Sequence, residues 1–255
     1  MSTQKALAAQ FGSLHVAGNP LVIFNIWDAG SARAVIAGGA RAVGTGSWSV
    51  AAAHGYDDGE QVPFEFVIQN LQRIVAATEL PVTIDLESGY GEKPDHVRRS
   101  IARVIEAGAV GCNLEDSFPE NGRLREPADA ARRVASARAG VESAGIPFFI
   151  NARTDEFLQA PREAHDLGLL RLALERGRAY AAAGADGLFI PGLVDPGLIE
   201  RAARESSLPL NVMKSAASPR LSQLAELGVA RISHGPGPYR MMMKALEDAC
   251  RAAMA

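Results

Sequence analysis

Eight short apolar runs, each ending in polar residues, constrain this chain more than any other feature. They are LVIFNIWD from Leu21, AVGTGS from Ala42, PVTIDLES from Pro81, GCNLEDS from Gly111, PFFINARTD from Pro147, GLFIPG from Gly187, PLNVM from Pro209 and ARISHGP from Ala230. None alternates clearly with period 2, which is the pattern of parallel strands buried on both faces. Most of the stretches between them read as amphipathic helices. Eight strand-then-helix units predict an α/β chain folded as one TIM-type (β/α)8 barrel spanning residues 1–255. In that architecture the active site sits at the C-terminal ends of the strands. Those ends carry Asp28, Ser47, Asp85, Glu87, Glu115, Asp116, Asn151, Arg153, Asp155, Asn211 and His234. So many acids, with a few cationic and amide groups, suit a metal ion and a small anionic substrate.

Composition narrows the partners. A formal net charge of -3 with scattered arginines gives no nucleic-acid footprint. No apolar run approaches the roughly 20 residues that span a bilayer. The first residues lack a cationic start followed by an apolar block, so no signal peptide is expected. Cys112 and Cys250 read as buried small hydrophobes, and the lack of a cysteine framework agrees with a cytoplasmic protein.

Along the chain, Thr3 to Ala17 reads as a leading helix able to plug the barrel bottom or cover a flank. Ser31 reads as the N-cap of the next helix and Gly38-Gly39 as its stop. Ser47 to Pro63 reads as a long functional connection after the second strand. The polar stretch Ser117–Glu126 is a lid or a plain surface loop. The last helix, from about Tyr239 to Met254, is Met-rich and apolar for a solvent-facing element, which suits either ordinary packing on the barrel or burial against another subunit.

Three constellations carry chemistry. Asp85 and Glu87 lie two apart and share one side of an extended chain, with Glu115-Asp116 ending the next strand. Crowding such acids in an apolar mouth is costly, and a divalent cation relieves the cost. Oxygen-only ligands favour Mg²⁺, with Mn²⁺ possible, and some acids can act through retained waters. Asn151 and Arg153 likewise share a face, and a guanidinium there suits a carboxylate or phosphate. Asp155 is expected to hold a neighbouring loop or helix N-terminus. The run Gly44-Thr45-Gly46-Ser47 offers backbone N–H groups and a hydroxyl to an anion. Asp28 and Asp58 are further acid/base candidates, and Asn211 and His234 weaker ones.

These motifs resemble the isocitrate lyase/phosphoenolpyruvate mutase superfamily. The resemblance rests on Asn25-Ile-Trp-Asp-Ala-Gly-Ser-Ala, Gly46-Ser47, Gly55-Tyr-Asp-Asp58, Asp85-Leu-Glu-Ser-Gly-Tyr-Gly91, Asn113-Leu-Glu-Asp116, Asn151-Ala-Arg-Thr-Asp155 and Pro209-Leu-Asn-Val-Met213, in family order. It implies a Mg²⁺-holding (β/α)8 barrel, tetrameric as a pair of dimers, with the eighth helix swapped between partners. Asp85, Glu87 and Glu115 match the metal-binding acids. Ser47 and its neighbouring backbone, Gly46 included, match the cradle for the substrate carboxylate; Trp48 is a further substrate-site candidate, whose size would shrink the pocket if it points inward. Arg153 matches the substrate-binding arginine, Asp58 an active-site aspartate and Asn211 a pocket asparagine.

The departures shape the expected reaction. Isocitrate and methylisocitrate lyases carry a Lys-Lys/Arg-Cys-Gly-His loop where this chain has Ser117-Phe-Pro-Glu-Asn-Gly-Arg-Leu, so no cysteine is available as general acid. The mutase and phosphonopyruvate hydrolase branch shows a gate lysine and a histidine after the sixth strand. Here Asn121 and Arg123 stand in the gate, and Ile190-Pro191-Gly192 follows the sixth strand. Glu87 replaces the usual Asp. The expectation is a Mg²⁺-dependent lyase cleaving a C–C bond in a small 2-oxo acid, with Asp58 or a water as proton donor. C–P bond chemistry and a non-catalytic 2-oxo-acid-binding barrel are the rivals.

Overall fold

The computed structural model describes residues 3–255. Eight parallel strands form the sheet: β1 Leu21–Ile23, β2 Val43–Gly44, β3 Val82–Asp85, β4 Gly111–Glu115, β5 Phe149–Arg153, β6 Gly187–Ile190, β7 Leu210–Met213 and β8 Arg231–Ser233. Their order is β1-β8-β7-β6-β5-β4-β3-β2. The ring is completed beyond β1 and β2 by a parallel bridge between Ile26 and Thr45, where Ile26 N donates to the Gly44 carbonyl at 2.9 Å and Gly46 N to that of Ile26 at 3.1 Å. This is the expected (β/α)8 barrel.

The helices are α1 Thr3–Ser13, α2 Ala29–Ala37, α3 Ser47–Ala53, α4 Phe64–Ala76, α5 Pro94–Glu106, α6 Pro127–Ala144, α7 Glu156–Gln159, α8 Leu167–Ala182, α9 Pro196–Glu205, α10 Leu221–Glu226 and α11 Gly237–Met254. Helices α4 and α5 bury one apolar stripe each, Val67, Ile68, Leu71 and Ile74 on one and Val97, Ile101 and Val104 on the other. Both stripes join the core around the strands. The repeated Ala-Gly-Ala steps before β4 and β6 are helix stops: Gly108 and Gly184 have φ of 104° and 98°, which favour glycine.

Helix α1 plugs the barrel bottom. Phe11 is fully buried, meeting Phe149 edge-on at 5.7 Å, and His15 stacks on Phe149 at 3.9 Å. A side chain at Gly111 would come within 2.8 Å of the Phe11 ring, so the plug needs glycine there.

Several expectations change. The helix after β1 is capped by Asp28, not Ser31: Asp28 Oδ1 accepts from Ser31 N at 2.7 Å, and Ser31 Oγ accepts in turn from Asp28 N at 3.1 Å. That reciprocal capping box makes Asp28 a helix starter. The long connection after β2 is half helix, because α3 begins at Ser47. Cys112 is buried, but Cys250 is exposed, since every residue of α11 from Arg240 onward is exposed. Among the described residues no helix is long and apolar enough to cross a membrane.

Candidate active site

A cavity of about 170 Å³ opens at the C-terminal ends of the strands. Its wall holds Asn25, Gly46, Ser47, Trp48, Asp58, Asp85, Asn113, Arg153, Phe189, Met213 and Ser233. Asn25 ties two of the loops above it, donating to the Thr45 carbonyl at 2.8 Å and accepting from Gly235 N at 2.8 Å.

Asp85 is fixed from two sides. Thr45 Oγ1 accepts its backbone N–H at 2.9 Å, and its Oδ2 accepts from Ser47 N and Ser47 Oγ, each at 3.1 Å. Its Oδ1 is buried without a hydrogen-bond partner. An ionised carboxylate oxygen left so is costly unless something positive meets it.

Glu87 points elsewhere. Its φ of 51° breaks the extended alternation after Asp85. Its Oε2 accepts from Gly59 N at 2.9 Å and Glu60 N at 2.6 Å, and its Oε1 from Tyr90 Oη at 3.0 Å. Burial, with the nearby charges of Asp58 and Asp85, pushes its carboxyl up to about 7. Asp85 and Glu87 still flank a second pocket of about 20 Å³, lined otherwise largely by apolar side chains such as Val62, Val67, Leu71 and Ile84. Among the described residues no three His, Cys, Asp or Glu side chains form a metal cage.

Arg153 is already engaged. Its Nε and Nη2 donate to Asp155 Oδ1 and Oδ2 at 2.6 and 3.0 Å, and its Nη1 lies 2.8 Å from Glu115 Oε2. Glu115 is held well above the usual carboxylate range, by burial above all, against the pull of Arg153. Asp155 also accepts from Ser117 Oγ at 2.8 Å, which ties the loop after β4 to the site as expected. That loop is a small hairpin: Ser117 bridges Leu124, and Arg125 lies 4.0 Å over the Phe118 ring.

Asp116 stands apart. It is buried, accepting from Tyr180 Oη at 2.6 Å and Asp155 N at 3.0 Å, with Arg176 at 3.4 Å. It braces the site from behind. Asp58 stands at the rim, where desolvation by the surrounding protein and then the Asp85 charge raise its carboxyl. Asn211 is buried in the floor, donating to Ser233 Oγ at 3.1 Å, and Ser233 reaches the cavity wall in its place. His234 leans on Phe24 at 4.7 Å, outside the wall. Sequence reasoning passed over Asn113, Phe189, Met213 and Ser233. Their inward positions follow from period 2 on strands already assigned, a signal available in the sequence.

The phosphoenolpyruvate phosphomutase family model matches residues 11–254. A solved structure described as a "putative phosphonomutase" of Burkholderia cenocepacia J2315 is 56% identical, with a TM-score of 0.96, covering 98% of this chain and 99% of that one. An uncharacterized protein of Mycobacterium tuberculosis is 34% identical over 95% of this chain and 88% of its own. The 2-methylisocitrate lyase of Salmonella typhimurium is 28% identical over 90% of this chain and 78% of its own. Phosphonopyruvate hydrolase, solved with oxalate and Mg²⁺, shares the fold at 21% identity and a TM-score of 0.81, covering 97% of this chain and 85% of that one. The match over nearly the whole chain, on a barrel with these motifs at its strand ends, makes this protein a member of the phosphoenolpyruvate phosphomutase family, within the isocitrate lyase/phosphoenolpyruvate mutase superfamily.

Proposed function

We propose that this chain is a Mg²⁺-dependent lyase that cleaves a C–C bond in a small 2-oxo acid through an enolate, as an oxaloacetate-type decarboxylase or a retro-aldol lyase. The observation that carries this reading is Asp85, with one oxygen fixed by Ser47 and the other buried and unpartnered, on a cavity wall that also holds Arg153 and Asp58. That free oxygen fits a hard cation as a direct ligand. Both oxygens of Glu87 and one of Glu115 are already bonded, so these two would hold the ion through water. Mg²⁺ held by Asp85, or Mn²⁺ in its place, would supply positive charge against the developing enolate.

The chain's own groups do the rest. Gly46 and Ser47 line the seat of the substrate carboxylate; with their own donors bonded to Ile26 and Asp85, they position it by shape and by holding Asp85. Arg153 keeps two of its five N–H groups after its bonds to Asp155 and Glu115, and these orient the distal carboxylate. Trp48 and the floor of Asn211 and Ser233 limit substrate size. Asp58, with its raised carboxyl, donates the proton, or a water does so beside it.

The test is turnover of oxaloacetate, its substituted analogues, 2-methylisocitrate and phosphonopyruvate with Mg²⁺, following pyruvate and phosphate. Pyruvate without phosphate, abolished by chelator, is expected. The 56% identical relative favours one second reading, C–P chemistry. Phosphoenolpyruvate formed from phosphonopyruvate, or phosphate released from it, would establish it. Oxalate binding without any turnover would mean a binding-only barrel.

The same reading includes assembly as a homodimer or homotetramer through α11. That helix exposes Met241, Met242, Met243, Leu246 and Met254. It leaves uncovered an apolar groove on its own barrel, lined by Phe24, Trp27, Ala34 and Val35. A second copy's α11 is the occupant that matches, since closed symmetry satisfies helix and groove on both chains at once.

A further inference from the structure

Both tryptophans of the chain touch Tyr239, at the root of α11. Its ring meets Trp27 edge-on at 5.0 Å and Trp48 edge-on at 5.9 Å. The next residue, Arg240, places its guanidinium 4.6 Å from the centre of the Trp48 ring. Trp48 lines the cavity, and Trp27 lines the groove beside Met241 and Met242. Beyond Met242 every residue of the helix is exposed and none lines the groove. Eighteen helical residues make a stiff rod about 27 Å long. Fixing its far end therefore fixes the angle of its root. Edge-to-face and cation–π contacts depend on orientation, so a turn at Tyr239 is passed to Trp48.

We propose that Tyr239 and Arg240 are positioning residues that couple the seating of α11 on a second copy to the orientation of Trp48 in the cavity wall. The inference rests on the assembly reading above. By linkage, a ligand that prefers the seated Trp48 also favours assembly.

The experiment uses the full chain with Trp27→Phe, which leaves Trp48 as the sole tryptophan and keeps a ring against Tyr239. Acrylamide quenching of Trp48 is measured beside molar mass by sedimentation. Leu246→Asp, on an exposed position, dissociates the assembly. The expected result is a quenching constant at least twofold higher in the dissociated protein. In the assembled protein, Tyr239→Leu and Arg240→Met raise it similarly without changing mass. Equal quenching in assembled and dissociated protein overturns the coupling and leaves the assembly reading standing. A parent chain that is monomeric at every concentration overturns the assembly reading, and the coupling with it. Unchanged quenching in Tyr239→Leu and Arg240→Met overturns the positioning role itself.

Discussion

Glu60 and Glu87 hold each other's loops across the barrel mouth. Glu87 Oε2 accepts from Glu60 N at 2.6 Å, while Glu60 Oε1 accepts from Tyr90 N and Ser88 Oγ, both at 2.7 Å. Glu60, Glu87 and Tyr90 all have positive φ, of 58°, 51° and 55°. Each such residue costs of order 1–3 kcal/mol and persists only where its surroundings enforce it. The carboxylate–amide bonds do so here, and Arg133 adds donors to the carbonyls of Ser88, Gly91 and Glu92.

Glu60→Ala leaves Tyr90 N and Ser88 Oγ without their acceptor and releases the loop that carries Asp58. A loss of about 1–3 kcal/mol in urea unfolding is expected. Glu60→Gln keeps one acceptor and should lie closer to the parent. Equal midpoints for all three proteins would refute the latch.

Asp85→Asn keeps the shape but removes the charge that Ser47 orients. A drop in kcat/KM of at least about 100-fold is expected, with loss of Mg²⁺ dependence. Ser47→Ala removes only an orienting hydroxyl and should cost roughly 10–100-fold. Steady-state kinetics with and without chelator separates the two. Unchanged turnover in Asp85→Asn would reject the mechanism.

His15 makes stability depend on pH. Burial first, then the Arg231 charge, pushes its imidazole down to about 3. Its Nδ1 faces the Phe11 carbonyl at 2.9 Å, and its Nε2 is buried without a partner. Below pH of about 6.5 the unfolded chain binds a proton that the folded chain does not. The stabilisation is therefore complete above that pH and is lost as pH falls toward 3. His15→Phe keeps the stack on Phe149 and removes the titration. Between pH 7.5 and 4.5 the parent should lose about 2–3 kcal/mol more than the variant; equal losses would contradict this.

Tyr180→Phe probes the brace behind the site. It deletes the 2.6 Å bond to Asp116, a carboxyl already raised by burial and lowered by that bond. A cost of about 1.5–3 kcal/mol is expected, as for a bond to a buried charged group. A value near zero would mean that Arg176 and the Asp155 amide carry Asp116 without it.

The fold was legible because its signals are local. Apolar runs, helix stops at Gly108 and Gly184 and the period of α4 and α5 need no distant partner to be read. Strand ends were legible too, and period 2 put Asp85 and Arg153 on the inner face. Where side chains compete for partners, the reading stopped short. Asp28 gave its carboxylate to its own helix, and Arg153 was taken up by Asp155 and Glu115.

The sequence by itself determined the barrel, the side on which the site lies and the acids that surround it, since alternation and strand order are properties of the chain alone. Tertiary structure alone decided what each acid does. Glu87 turned to the amides of Gly59 and Glu60 because a left-handed residue after β3 ended the alternation, and those amides come from a different loop. Asp85 was left with a free buried oxygen because only one donor residue, Ser47, reaches it. Hydrogen-bond partners distant in sequence have no periodicity to betray them, and they exist only once the barrel has closed.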